Sequence, residues 1–206
     1  MMKKIFSTII VFLLCFGFSL NVSATEINLP WEISATIINN ETGEHVPVEV
    51  ALTILPETRM FSEEKNSSQN ITATAIFKIP VGAKPRYTDT ATTTTDVEAT
   101  ISMNYDRQGE KIRVNKIYGS WKPATSMIQL SNREVIYGDG VPFVGKSAHK
   151  YPTSNSYSYT TGWGWVDFYP ASTGAASGAR AYSSANVSVS GMSGSHLIEV
   201  YVTARN

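Results

Sequence analysis

Apolar and polar residues alternate with period two along almost the whole of this chain, and nothing else restricts its fold as strongly. In "WEISATII", Trp31, Ile33, Ala35 and Ile37 fall on one parity while Glu32, Ser34 and Thr36 take the other. "VPVEVALTIL" groups Val46, Val48, Val50, Leu52 and Ile54 in the same way. "ITATAIFKI" groups Ile71, Ala73, Ala75, Phe77 and Ile79, and "VEATISMNY" groups Val97, Ala99, Ile101, Met103 and Tyr105. Near the end, Ile198, Val200 and Val202 line up in "HLIEVYVT". Successive side chains of a strand point to opposite faces, so each stretch reads as a strand with one face buried and the other in water.

Turn-forming clusters separate these stretches: "NNETGE" (39–44), "DRQGE" (106–110) and "YGDG" (137–140). Helical periodicity is absent apart from material for a single turn in "ETRMFSEEKN" (57–66). Many short strands with one apolar face predict an all-β chain, an antiparallel β-sandwich or a barrel-like version of one, with little or no helix. "KIRVNKIYGSW" changes parity between Val114 and Ile117, which predicts a bulge near Asn115 and Lys116. One sandwich domain over residues 25–206 is the simplest organisation. The Pro- and Thr-rich "GAKPRYTDTATTTTD" suggests an alternative, an N-terminal sheet (25–82), a linker (83–96) and a main sheet domain (97–206).

The first residues predict export. Lys3 and Lys4 precede an apolar run, Ile5–Phe18, that is short for a membrane span, and Val22 and Ala24 place small residues where a signal peptidase cuts. We expect a signal peptide over residues 1–24, cleaved after Ala24, and a secreted or extracellular protein held at most loosely at the cell envelope. Cys15, the single cysteine, leaves with the leader, so the mature chain has no disulfide, which fits a bacterial source. The full chain has 17 basic and 17 acidic residues, and losing Lys3 and Lys4 tips the balance to −2. That balance speaks against nucleic acid or an anionic membrane as a partner, since both call for clustered Lys and Arg. No apolar tail follows "VYVTARN", which speaks against a stable membrane anchor. The sortase-like "LPETR" (55–59) lacks the required Gly and reads as the end of a strand.

Two motifs suggest sites. "GVPFVGKS", Gly140–Ser147, matches the phosphate-loop pattern G-x-x-x-x-G-K-[ST]. Such a loop needs a helix behind it, whereas "AHKYPTSNSYSYTTG" follows and cannot supply one. The match is read as fortuitous, with Asp139-Gly140 the turn of a β-hairpin between "REVIY" and "VPFVGK". In "YSYTTGWGWVDFY", a continuous strand would project Tyr157, Tyr159, Trp163, Trp165 and Tyr169 from one face. Such a stripe suits core packing, and it is also the candidate surface for stacking on sugar rings. A bulge at Gly162–Gly164 would instead flip its register.

No catalytic residue, cofactor site or metal site is predicted. His45, His149 and His196 lack metal-ligand spacing, no nucleophile elbow is present, and "SGSH" (193–196) reads as a hairpin turn. The expectation is a secreted, non-catalytic binding or structural module for a cell-surface glycan or protein. One alternative is a secreted membrane-active or antimicrobial β-protein that turns Val97, Ala99, Ile101, Met103 and Tyr105 toward lipid. Another is an extracellular hydrolase whose carboxylates come from distant strands.

Overall fold

A computed structural model describes residues 31–57, 66–80, 94–169 and 177–204. The expected leader lies outside them, as do the possible turn around residues 58–65 and most of the Thr-rich segment. In chain order the strands are β1 (Trp31–Asn39), β2 (His45–Val48), β3 (Val50–Glu57), β4 (Asn66–Pro80), β5 (Thr94–Gln108) and β6 (Lys111–Pro123). There follow β7 (Ile128–Gly138), β8 (Ser147–Lys150), β9 (Ser156–Thr160), β10 (Val166–Asp167), β11 (Arg180–Val189) and β12 (Ser195–Ala204). No helix occurs among the described residues.

The strands form two antiparallel sheets. The first has the order β2-β1-β12-β11-β7-β8, and the second β10-β6-β5-β4-β3 with β9 also on β6. Both keep open edges, so the architecture is a sandwich and the barrel-like variant of the expectation is set aside. The first and last described strands lie side by side, Trp31 opposite Ala204 and Asn39 opposite His196.

The core is built by the alternation that defines the strands. Ile71, Ala73, Ala75, Phe77 and Ile79 of β4 and Val97, Ala99, Ile101, Met103 and Tyr105 of β5 are all buried, facing Ile198, Val200 and Val202 of β12. Burying an aliphatic or aromatic side chain of this size contributes about 1.5–3 kcal/mol. A polar relay also joins the sheets: Trp31 Nε1 donates to Tyr105 Oη at 2.7 Å, and that hydroxyl donates to Gln69 Oε1 at 2.7 Å.

Local irregularities decide which residues reach the surface. Between β5 and β6 the register shifts so that Asn104 faces Lys116 while Tyr105 faces Val114, which makes Asn115 the extra residue of the expected bulge. "VPVEVALTIL" is not one strand. The chain leaves the first sheet after Val48 and enters the second at Val50; Val48, Val50 and Leu52 pack on the same core, whereas Val46 and Ile54 at the outer ends are exposed. A second bulge lies in β7, where Asn132 and Arg133 oppose a single residue between Ser184 and Asn186, and Asn132 takes a positive φ of 47°.

Candidate functional site

The phosphate-loop lookalike joins β7 to β8, and β8, not a helix, begins at Ser147. Asp139, only 3% exposed, sits under the loop. Its Oδ1 accepts the Val141 N–H at 3.1 Å and its Oδ2 the Lys146 N–H at 2.9 Å. Val144 donates to the Pro142 carbonyl at 2.8 Å and Gly145 to that of Val141 at 3.1 Å. Those N–H groups are therefore already spent within the loop. The two-residue turn expected at Asp139-Gly140 is replaced by a longer loop over residues 139–146, and "VPFVGK" is not a strand. The physical reason is the Asp139 carboxylate, which ties both ends of the loop. Gly140 fits against residue 178 with φ +78°, where a Cβ would meet the Gly178 carbonyl carbon at 2.2 Å.

The aromatic run is not a continuous strand. β9 ends at Thr160 and β10 begins at Val166, while the β6 partner advances only from Lys116 to Ile112. The excess is taken up in residues 161–165, where Gly162 has φ +63° and Thr161 donates to the Asn115 carbonyl at 3.0 Å. The five aromatics consequently do not share one face. Tyr157, Tyr159 and Trp163 turn inward and join Trp121 of β6 and Tyr137 of β7 in a ladder of rings. Centroid separations along it are 5.0 Å (Trp121–Tyr157), 6.0 Å (Tyr157–Tyr159), 6.2 Å (Tyr159–Tyr137) and 5.6 Å (Tyr137–Trp163).

This ladder bridges β6 and β9 of the second sheet to β7 of the first, and Tyr157 is 7% exposed. Trp165 emerges on the outer side of the second sheet, where the Arg113 guanidinium lies 4.8 Å from its ring. Arg113 is itself bound to Asp106 Oδ2 through Nε at 3.1 Å. Burial pushes the Asp106 carboxyl up, but hydrogen bonds from Arg113, Asn115 and Ser68, with the Arg113 charge, hold it below the usual carboxylate value. Tyr169 is 39% exposed.

A different surface concentrates binding chemistry. On the outer face of the first sheet one row runs Ser34, Tyr201, Tyr182, Ile136, His149 across five strands. Four strand spacings make it about 19 Å long. The neighbouring row is Thr36, Glu199, Ser184, Glu134. The β7 bulge creates this arrangement. Ile128 and Leu130 face the core on even numbers, whereas after the extra residue Val135 and Tyr137 face it, so Glu134 and Ile136 come out.

A shallow depression of about 370 Å³ results, lined by Glu134, Ile136, Arg180, Ala181, Tyr182 and Tyr201. The Tyr182 and Tyr201 rings lie 4.6 Å apart, tilted by 42°, and Tyr182 donates to Glu199 Oε1 at 2.9 Å. Glu134 is paired with His149, whose ring rests 4.4 Å from that of Tyr151. Burial raises both the Tyr182 and Tyr201 phenols, and the Glu199 carboxylate raises them further, with Glu134 adding to the effect on Tyr201. At neutral pH the depression therefore holds neutral hydroxyls, aromatic faces and Glu134, with Glu199 held beside it by Tyr182 and Arg180 at its rim bonded to the Ser177 carbonyl at 3.3 Å.

Sequence reasoning does not single out Tyr182 and Tyr201. Their signal is parity: both alternate with core residues, Tyr182 between Ala181 and Ser183 and Tyr201 between Val200 and Val202. The face offered to lipid by the membrane-active alternative (Val97, Ala99, Ile101, Met103, Tyr105) lies in the core. Among the described residues no group of three His, Asp, Glu or Cys side chains is placed to hold a metal ion. Comparison with protein-family models, with curated proteins and with solved structures gave no match.

Proposed function

We propose that this chain is a secreted, non-catalytic binding module of the cell surface or its surroundings, and that a glycan is its ligand on the outer face of the first sheet. The observation that carries this reading is the Tyr182–Tyr201 pair. Two large rings occupy the water-facing parity of a sheet whose core is already full, beside Glu199, which accepts from Tyr182 through Oε1, and the His149-paired Glu134, whose remaining lone pairs can accept sugar hydroxyls. A flat row about 19 Å long suits an extended chain better than a compact small molecule. The outer end of the aromatic run, Trp165 on Arg113, is the second surface, and it keeps the expected stacking role of that run open to test.

Co-sedimentation of residues 25–206 with cell-wall sacculi and a panel of insoluble polysaccharides tests the proposal. Selective pelleting with one glycan is expected, weakened at least about tenfold by Tyr201→Ala, because aromatic hot-spot contacts contribute 2 kcal/mol or more. Trp165→Ala should leave it unchanged. Loss with Trp165→Ala and retention with Tyr201→Ala would move the site to the aromatic run. Pelleting with no glycan would remove the glycan reading.

A further inference from the structure

The loop between β7 and β8 carries the most exposed apolar side chains among the described residues. Phe143 is 106% exposed relative to an extended reference and Val144 84%. Phe143 holds this position with φ +64°, a left-handed conformation that side-chain-bearing residues seldom adopt. The loop is braced beneath it by the two Asp139 bonds. At Gly145 a Cβ would stand 2.3 Å from the Val141 carbonyl oxygen and 2.5 Å from Asp139 Oδ1. A strained conformation imposed by a buried carboxylate, with its apolar residues aimed at solvent, points to a use for the tip.

We propose that Phe143 and Val144 form a finger that enters the headgroup region of an anionic lipid bilayer. Two observations favour lipid over a pocket on another protein. The first is charge: from Gly140 to Tyr151 every ionisable group other than the Tyr151 phenol is basic, namely Lys146, His149 and Lys150. Lys146 and Lys150 make no ion pair among the described residues, and Glu134, which faces this edge, is taken by His149. Lysines beside an apolar tip are attracted to anionic headgroups. The second is the backbone. Five of the seven N–H groups of residues 139–146, those of Asp139, Val141, Val144, Gly145 and Lys146, are donated within the loop, Pro142 has none, and those of Gly140 and Phe143 are left for lipid headgroup oxygens. A loop leaving water needs its polar groups satisfied internally. The inference is independent of the glycan reading, since it uses a different surface.

All twelve strands of the described residues lie within Trp31–Ala204, so residues 25–206 contain every one of them and serve for the test. Sedimentation with vesicles of phosphatidylcholine, alone or mixed with phosphatidylglycerol, should show binding to the mixed vesicles that added salt reverses. Phe143→Ser should lower the partition roughly tenfold or more. Lys146→Gln and Lys150→Gln should each lower it about fivefold. Phe143→Gly should lose as much binding as Phe143→Ser while melting no lower than the parent, because Gly adopts φ +64° freely. That separates a lost tip from a lost fold. Pelleting with neither vesicle, or equal partition of the parent and Phe143→Gly, overturns the proposal.

Discussion

Gly119 is where the packing can be tested most sharply. It lies on β6 opposite Ile101 of β5 and Tyr157 of β9. A Cβ at this position would stand 2.1 Å from the Thr100 carbonyl oxygen, 2.6 Å from Tyr157 Oη and 2.8 Å from Tyr157 Cζ. The Tyr157 ring can yield only by leaving its contacts with Trp121 and Tyr159. The carbonyl belongs to a strand paired on both sides, by β4 and by β6, so it cannot yield without disturbing the sheet. Overpacking costs about 1–3 kcal/mol, and a clash with backbone belongs at the upper end.

At about 2–4 °C per kcal/mol for a domain of 150–250 residues, Gly119→Ala should lower Tm by roughly 6–12 °C. Strand propensity alone predicts the opposite sign, since Gly inside a strand is about 0.5–1 kcal/mol less favourable than Ala. Thermal unfolding followed by circular dichroism, in the peptide and the aromatic bands, decides between them. Adding Tyr157→Phe removes one of the three close contacts and leaves the backbone clash, so it should recover less than half of the loss. A Gly119→Ala protein that melts at or above the parent temperature would refute the reasoning.

Two further outcomes follow from buried polar groups. Asp139→Ala strips the Val141 and Lys146 N–H groups of their acceptor and should cost about 2–4 kcal/mol in urea unfolding, while Asp139→Asn, which keeps one acceptor oxygen, should cost less. An unchanged urea midpoint for Asp139→Ala would mean the loop does not depend on the carboxylate. Burial raises the phenol of Tyr157, as it does those of Tyr182 and Tyr201. A phenol kept neutral by the fold contributes stability that is fully present below its unfolded value near 10 and is lost as pH rises through the folded value. The phenolate absorbance of the native protein should therefore lag behind that of the urea-unfolded chain. Superimposable titration curves would contradict the burial described for these three rings.

The strand interiors were legible because a half-buried strand writes its two faces directly into alternate residues. In β4 and β5 every residue on the apolar parity from Ile71 to Ile79 and from Val97 to Tyr105 is buried. The Asn115 bulge was legible for the same reason, since apolar residues on both sides of it, Val114 and Ile117, fix opposite parities. The break at Glu49 was not. A chain that crosses from one sheet of a sandwich to the other still faces the same core, so Val48 and Val50 keep their parity and the pattern carries no trace of the crossing. Nor could alternation reveal the loop over residues 139–146, whose shape depends on one carboxylate reaching two N–H groups.

The candidate site was recorded in the sequence by a signal that aromatic density hides. Residues 157–169 hold six aromatic residues close together, yet the inward-facing ones have partners waiting in Trp121 and Tyr137, and the fold itself accounts for them. Tyr182 and Tyr201 are isolated in sequence and stand on the water-facing parity, outside the core, where they are only partly covered. The switch from Ile128 and Leu130 to Val135 and Tyr137 is the same kind of evidence as the one around Asn115, and it brings Glu134 and Ile136 out beside the two tyrosines. An aromatic on the apolar parity is explained by the area it buries on folding. One on the polar parity gains only its cross-strand contacts, and the area it leaves exposed is available to a ligand.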